Sequence, residues 1–519
     1  MSRFIVPWLC LFACSHPAGE TPDAPTADAA PDASVSSAID PAKSLIITSR
    51  AGFRAVEDPA NHLTLGRLLA ARHGLMNAKR VADGKASIGS REGTRMAFTK
   101  LAEDVDQHNT LLPTSRRIGI VTETTNPFRD HVLAHWDPAG TGNELSPGQE
   151  DGPFRLLAVI NRVDLAGAND NPGGGSTLPE DKRKFFGEGR LVFGLTTPDE
   201  TGAPYPMTLI MEYHLPFLRK TVVDGVTTYE GVRVDFNYDQ ISDADWIEQR
   251  ATWAGLWAEL SRYELDSDVY RSKLLELVTL YARPENSVAL RVGYIVKSTT
   301  PGDETREFEY RESYTQGGFL LAPRDLARDV HPCVAEQPFF ADLVEQRWQV
   351  TTHDMQYDYK WPSAIQDQDA IRAACGVPMG AEDGAQGPRV HVSRFLVDKV
   401  WPALHGTDPD DITIDNMEEK RHDFALTTCS GCHSRETATE GFMIFPRRVD
   451  EDSTLSPFLR GPVSITLPNG AHYEYDELAR RTAVLEAFPA RGYPGPCQDS
   501  ICAAPPAAAT SMQEEMLRK

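Results

Sequence analysis

Cys429-Ser430-Gly431-Cys432-His433 places two thiols three positions apart with an imidazole directly after the second. Covalent haem attachment needs these parts: two sulfurs that add across the porphyrin vinyl groups, and an adjacent histidine that binds the iron from the proximal side. With 8 cysteines and 14 histidines in 519 residues, chance supplies about 0.003 such arrangements. The same residues allow a short-range disulfide or a zinc site beside a bystander histidine. Zinc has no evident fourth ligand nearby, and exported thiols tend to oxidise. A second axial ligand, commonly methionine, completes a six-coordinate haem and raises its potential. Met443 lies ten residues beyond His433 in the apolar run Gly441-Phe442-Met443-Ile444-Phe445-Pro446, and an extended chain of that length reaches about 30 Å. An ordinary core methionine accounts for Met443 equally well. Met417, His422, His472 and Met512 are the other candidates, and an open sixth position is a further arrangement.

Thioether haem is made in exported proteins, so the N-terminus bears directly on this reading. Met1-Ser2-Arg3 precedes an almost wholly apolar run from Phe4 to Phe12 and then Ala13-Cys14. That pattern predicts a secretory signal over residues 1–14, and the run is shorter than the ~20 apolar residues of a membrane span. Leu11-Phe12-Ala13-Cys14 resembles a bacterial lipobox, in which Cys14 is lipidated and becomes the mature N-terminus. Phe12 is bulkier than that pattern prefers and Pro7 interrupts the run, so a plain secretory peptide cut near the same place is the alternative. Residues 15–43, rich in Pro, Ala, Asp, Thr and Ser, predict a disordered acidic tether.

The formal charge of −23 argues against nucleic-acid binding and against general adhesion to anionic lipid, leaving membrane contact to the anchor. Outside Cys10, Cys14 and the haem motif, the remaining cysteines are Cys333, Cys375, Cys497 and Cys502. In an oxidising compartment, Cys333–Cys375 and Cys497–Cys502 are the expected pairs, other pairings staying open.

The elements that must position these groups read as an α+β fold. Ser44–Arg50 predicts an opening strand and Leu63–Leu75 a helix. Short apolar runs at Arg117–Val121, Leu156–Ile160, Arg190–Gly194 and Met207–Glu212 predict buried strands. Asp170–Gly175 is a loop by composition. Asp243–Arg262 and Ser267–Ala282 repeat apolar residues at helical spacing, and Ser287–Val296 and Thr305–Ser313 return to strand. The expected organisation is an α+β domain over 44–325 and a mostly helical or irregular haem-binding region over 326–519.

Several weaker signals fall short of a site. Asn161-Arg162-Val163-Asp164 has the outline of a guanine-reading motif, but Arg replaces its Lys and no phosphate loop accompanies it. His131 and His135 share a helical face at metal-binding spacing, yet without a third ligand they read as surface histidines. Asp408, Asp410, Asp411 and Asp415 miss the EF-hand pattern and read as a solvated loop. No nucleophile elbow occurs.

The stretch Thr428–Thr437, with Phe442, Pro446-Arg447 and Leu455-Ser456-Pro457-Phe458-Leu459, resembles a family of secreted bacterial lipoproteins carrying a single haem-type motif near the C-terminus. Leu157–Leu165, Gly187–Phe193 and Phe308–Glu312 are similar to that family as well, so the resemblance spans about residues 156–459. It implies architecture more than a defined activity. It also implies that histidine is a frequent counterpart of Met443, which keeps that position a ligand candidate.

The sequence thus predicts an exported, lipid-anchored protein of the cell envelope with one covalent haem c, serving one-electron transfer with a redox partner protein. A haem-dependent oxidoreductase built with the long N-terminal part is compatible with the same residues. The alternative is a haem-free surface lipoprotein with a binding or structural role and a CxxC disulfide.

Overall fold

The computed structural model describes residues 39–69, 71, 95–96, 98–99, 101–103, 127–137, 139–140, 154–166, 186–196, 204–232, 241–296, 304–312, 321–324, 438–439, 442–448, 450–467 and 470–488. Both strands and helices are present, as an α+β fold requires.

A seven-stranded antiparallel sheet organises the body. Its strands are β1 (Ile46–Ile47), β2 (Phe154–Arg162), β3 (Glu188–Thr196), β4 (Pro204–His214), β7 (Ser287–Val296), β8 (Glu304–Glu312) and β9 (Leu321–Arg324), in that spatial order. Between β4 and β7 the chain leaves the sheet to form the hairpin β5 (Phe217–Val223) and β6 (Val226–Val232), and then two helices. The helices are α1 (Arg50–Glu57), which follows β1, then α2 (Asp243–Glu259), α3 (Asp268–Tyr281) and α4 (Glu477–Ala487). Ser242 and Ser267 start α2 and α3, each hydroxyl accepting a backbone N–H from inside the first turn, at 3.1 Å in both cases.

Strand alternation gives the sheet two unlike faces. On one face lie Val159, Leu191, Phe193, Leu209, Met211, Tyr213, Leu290 and Val292, all buried. Trp253 and Trp257 of α2 and Tyr281 of α3 form an aromatic layer over Tyr213, with ring centroids 5.9–6.5 Å apart. Gly189 makes the close approach possible: a Cβ there would lie 2.4 Å from the Tyr281 ring. The opposite face carries Arg162, Glu188, Arg190, Glu212 and Arg291, neighbours across four strands.

The expected strand over Ser44–Arg50 shrinks to Ile46–Ile47. Asp40 caps a helical turn at Pro41–Ser44, its carboxylate accepting the Ala42 N–H at 3.0 Å, and Arg50 already opens α1. The hairpin β5–β6 was not expected. Its signal is Val223-Asp224-Gly225-Val226: both central residues take positive φ, 53° and 79°, as a two-residue hairpin turn demands. The other strands and helices from Leu156 to Ser313 fall where the sequence predicts them. The strand at 117–121, the loop at 170–175 and the boundary near Leu326 lie outside the described residues; of 63–75, residues 65–69 are helical.

Further along, β10 (Val463–Thr466) and β11 (His472–Tyr475) pair antiparallel, and α4 follows. Phe458, Leu459, Tyr475, Val484 and Leu485 join the same buried cluster as the sheet and α2–α3. Among the described residues, no helix is long and apolar enough to cross a membrane.

Candidate functional site

Of the predicted haem residues, Met443 is described; Cys429, Cys432 and His433 lie outside the described residues, as do Cys14, Cys333, Cys375, Cys497 and Cys502. The segment around Met443 runs antiparallel to residues 454–456. Ser456 N–H donates to the Met443 carbonyl at 2.9 Å, Phe445 N–H donates to Thr454 O at 2.9 Å, and Ile444 bridges Leu455. This fixes the backbone on both sides of the thioether. The Met443 side chain is half-buried and packs on the core. Its sulfur accepts two hydroxyls, Thr439 Oγ1 at 3.8 Å and Ser456 Oγ at 3.7 Å, both from fully buried residues. Thioether sulfur is a weak acceptor, so these contacts orient the side chain more than they stabilise the fold.

Arg447 clamps this segment to the body. It is 1% exposed, and its Nη2 donates to Glu57 of α1 at 2.9 Å and to the Leu156 carbonyl of β2 at 2.8 Å. Burial lowers the Arg447 pKa; Glu57 counteracts this, while Arg50 and Arg155 add to it. From the other side, Asp452 accepts the Arg50 N–H at 2.7 Å, at the start of α1.

A second clamp explains the motif that resembles a guanine reader. Asn161 is buried; its side-chain amide donates to Ser44 O at 3.0 Å and its side-chain oxygen accepts Val163 N–H at 2.8 Å. The chain then turns through Val163–Leu165, so that Asp164 faces Arg162 in a two-pronged pair at 2.8 and 3.1 Å. Gly187, with φ of 101°, lets β3 begin against this turn, since a Cβ there would lie 2.7 Å from the Arg162 carbonyl oxygen. From α4, Arg480 reaches Asp164 at 2.9 Å and Glu477 at 2.8 Å, and Arg481 also holds Glu477 at 2.8 Å. Burial would raise both carboxyls, but the guanidiniums win: Arg162, Arg481 and Arg480 hold Asp164 far below the usual carboxylate range, and Arg480 and Arg481 bring Glu477 down to about 2. The residues of Asn161–Asp164 are therefore committed to anchoring the chain, and no base-reading role follows from them.

The other candidates do not gather into a site. His131 sits in a π-helical turn, half-buried against the Tyr205 ring at 4.2 Å, with exposed His135 6.0 Å away. His472 is 52% exposed and pairs with Glu474 at 3.5 Å on the outer hairpin. Met417, His422, Met512 and the 408–415 aspartates lie outside the described residues. Among the described residues, no group of three or more His, Cys, Asp or Glu side chains is placed to hold a metal. The residue types that could hold an iron porphyrin are the Cys429 and Cys432 thiols and the His433 imidazole, with the Met443 thioether as the candidate that is described.

Sequence reasoning missed both arginine clamps. The Arg447–Glu57 pair joins residues 390 positions apart, which no local pattern reports. For α4 a signal existed: Glu477, Arg480, Arg481, Val484 and Leu485 follow the spacing of a buried helical face, disguised by charges at its first three positions.

No protein-family model, no curated protein and no solved structure matches the chain.

Proposed function

We propose that this is an exported, lipid-anchored mono-haem c-type protein that moves single electrons at the bacterial cell envelope. The observation that carries the reading is Cys429-Ser430-Gly431-Cys432-His433 in a chain opening with a signal-like run and Cys14. Cys429 and Cys432 would hold the porphyrin through their sulfurs, His433 would supply an imidazole to the iron, and Met443 is the candidate for a second donor. The haem supplies a one-electron iron couple at this site. The protein's part is to attach it, set its potential through ligand identity and burial, and present it to a redox partner protein. The region from 326 onward would be the haem-binding part, and Arg447 ties its segment after Met443 to β2.

Replacing Cys429 and Cys432 together by Ala, in full-length protein made in a haem-maturing periplasm, tests this. Wild-type peptide carrying residues 429–433 should gain the mass of one haem, and the variant should lose it. A wild-type peptide with an internal disulfide and no haem would overturn the proposal in favour of a haem-free surface lipoprotein.

A further inference from the structure

The hairpin β5–β6 leaves the body as a two-stranded ribbon whose edges are closed only at the base. Leu218 turns its N–H and C=O outward, and the Gln249 side chain of α2 takes both, at 2.6 and 3.0 Å. Across the ribbon Leu218 faces Gly231, whose carbonyl accepts from Arg283 at 3.1 Å. Backbone direction alternates along an antiparallel ribbon, so Lys220 and Val222 on β5, and Thr227 and Tyr229 on β6, turn outward as well. Among the described residues no third strand joins the ribbon and nothing bonds those edge groups. The outer half is apolar besides. Val222, Val223 and Val226 are 58%, 60% and 63% exposed, more than any other large apolar residue described. Neither strand carries a proline or a bulge to blunt its edge. Arg219 pairs with Glu230 across the ribbon at 3.4 Å, whereas Lys220 and Asp224 have no ion partner among the described residues.

We propose that β5 is the docking edge for a second copy of this chain, the two β5 strands pairing antiparallel about a two-fold axis at Thr221. Outward groups exchange bonds only with outward groups, so Lys220 faces Val222 of the second copy and Val222 faces its Lys220, each pair exchanging both N–H···O bonds. The ladder stops there because Gln249 already holds Leu218. In this register Arg219 faces a valine, and no like charges meet. Lys220 lies diagonal to Asp224 of the second copy on the same face, within reach of a long side chain. The cation and the carboxylate that the single chain leaves unpaired thus find each other. Pairing through β6, centred on Thr228, sets Glu230 beside Val226 and brings no opposite charges together. Pairing β5 with β6 is head-to-tail and leaves an open edge that grows into fibres. A contact of this size buries less than the ~1,200 Å² of a stable complex, so the dimer is weak and reversible.

The test is sedimentation equilibrium of the full-length protein in detergent, from about 1 to about 500 µM, read together with amide hydrogen exchange in the hairpin. Wild-type protein should pass reversibly from monomer to dimer as concentration rises. Exchange should slow at Lys220 and Val222 over the same range, while Thr227 and Tyr229 stay fast. Val222→Pro removes an edge N–H from each copy without touching the bonds to β6, and should weaken dimerisation about tenfold. Asp224→Asn keeps a residue that suits the turn and removes the carboxylate. It should weaken dimerisation about threefold and make it insensitive to added salt. A monomer throughout the range would overturn the proposal. So would a dimer indifferent to both variants, protection that falls on Thr227 and Tyr229 instead, or assemblies that grow past the dimer.

Discussion

Helices α3 and α4 both pack into the core beside the sheet, and α4 adds a cluster of buried ion pairs to that packing. Helix α3 is held by fit: Tyr281 lies on Gly189 and packs against Trp253, Trp257 and Tyr213. Helix α4 is held by charge at its first turn, through Asp164, Glu477, Arg480 and Arg481, and at its far end by Arg250, whose guanidinium lies between the Trp246 and Phe488 rings at 4.0 and 4.1 Å. Aromatic packing tolerates small shifts and resists changes in pH. Buried ion pairs demand one geometry, since their attraction offsets desolvation only when every partner is in place. The region carrying Met443 is attached in the second way, through Arg447 as well as α4. Its docking is the more specific and the more fragile.

Breaking the charge clamp should have the largest effect. Asp164→Ala leaves Arg162 and Arg480 without their shared buried carboxylate and should destabilise the protein by about 3–5 kcal/mol, measured by urea unfolding. Gly189→Ala attacks the aromatic clamp instead. The added methyl must displace the Tyr281 ring, and the expected cost is about 1–3 kcal/mol. If the Gly189 variant proved the less stable of the two, the ranking of fit below charge would fail.

Acid should separate the clamps without mutation. Glu477 and Asp164 have folded-state pKa values below their unfolded ones, so their contribution is complete above the ordinary carboxylate range. It declines as pH falls from about 4.5 toward about 2 for Glu477, and for Asp164 from about 3.8 downward, continuing to lower pH than for Glu477. Glu477→Gln should flatten the loss of stability across that interval. A variant as steep as wild type there would show that other carboxylates dominate acid unfolding. The smallest effect belongs to Tyr281→Phe. The Tyr281 hydroxyl is buried with no hydrogen-bond partner among the described residues, so removing it should leave stability unchanged or raise it by about 1 kcal/mol.

The same contrast explains what was legible in the sequence. Fit leaves a local trace. Trp246, Trp253 and Trp257 recur at helical spacing in α2, as do Leu274, Leu277, Val278 and Tyr281 in α3, and the apolar cores of β2, β3 and β4 stand out as short runs, so α2, α3 and the sheet were readable. Ion pairs between distant segments leave none. Asn161–Asp164 looked like a fragment of a nucleotide site because its partners, Ser44 and Arg480, lie over a hundred positions away on either side. Cys429, Cys432 and His433 were legible for a third reason: the covalent chemistry proposed for them requires that spacing whatever fold surrounds it. The hydroxyls on Met443 were not, because nothing in the run Gly441–Pro446 announces that Ser456 will pair with it.

The central claim is most directly tested by purifying the full-length chain from a haem-maturing periplasm and recording its reduced pyridine haemochrome spectrum alongside the intact mass. The account predicts a c-type spectrum, one haem per chain, and a mass increase that survives denaturation. A colourless protein of apo mass from cells that mature a control cytochrome would contradict it.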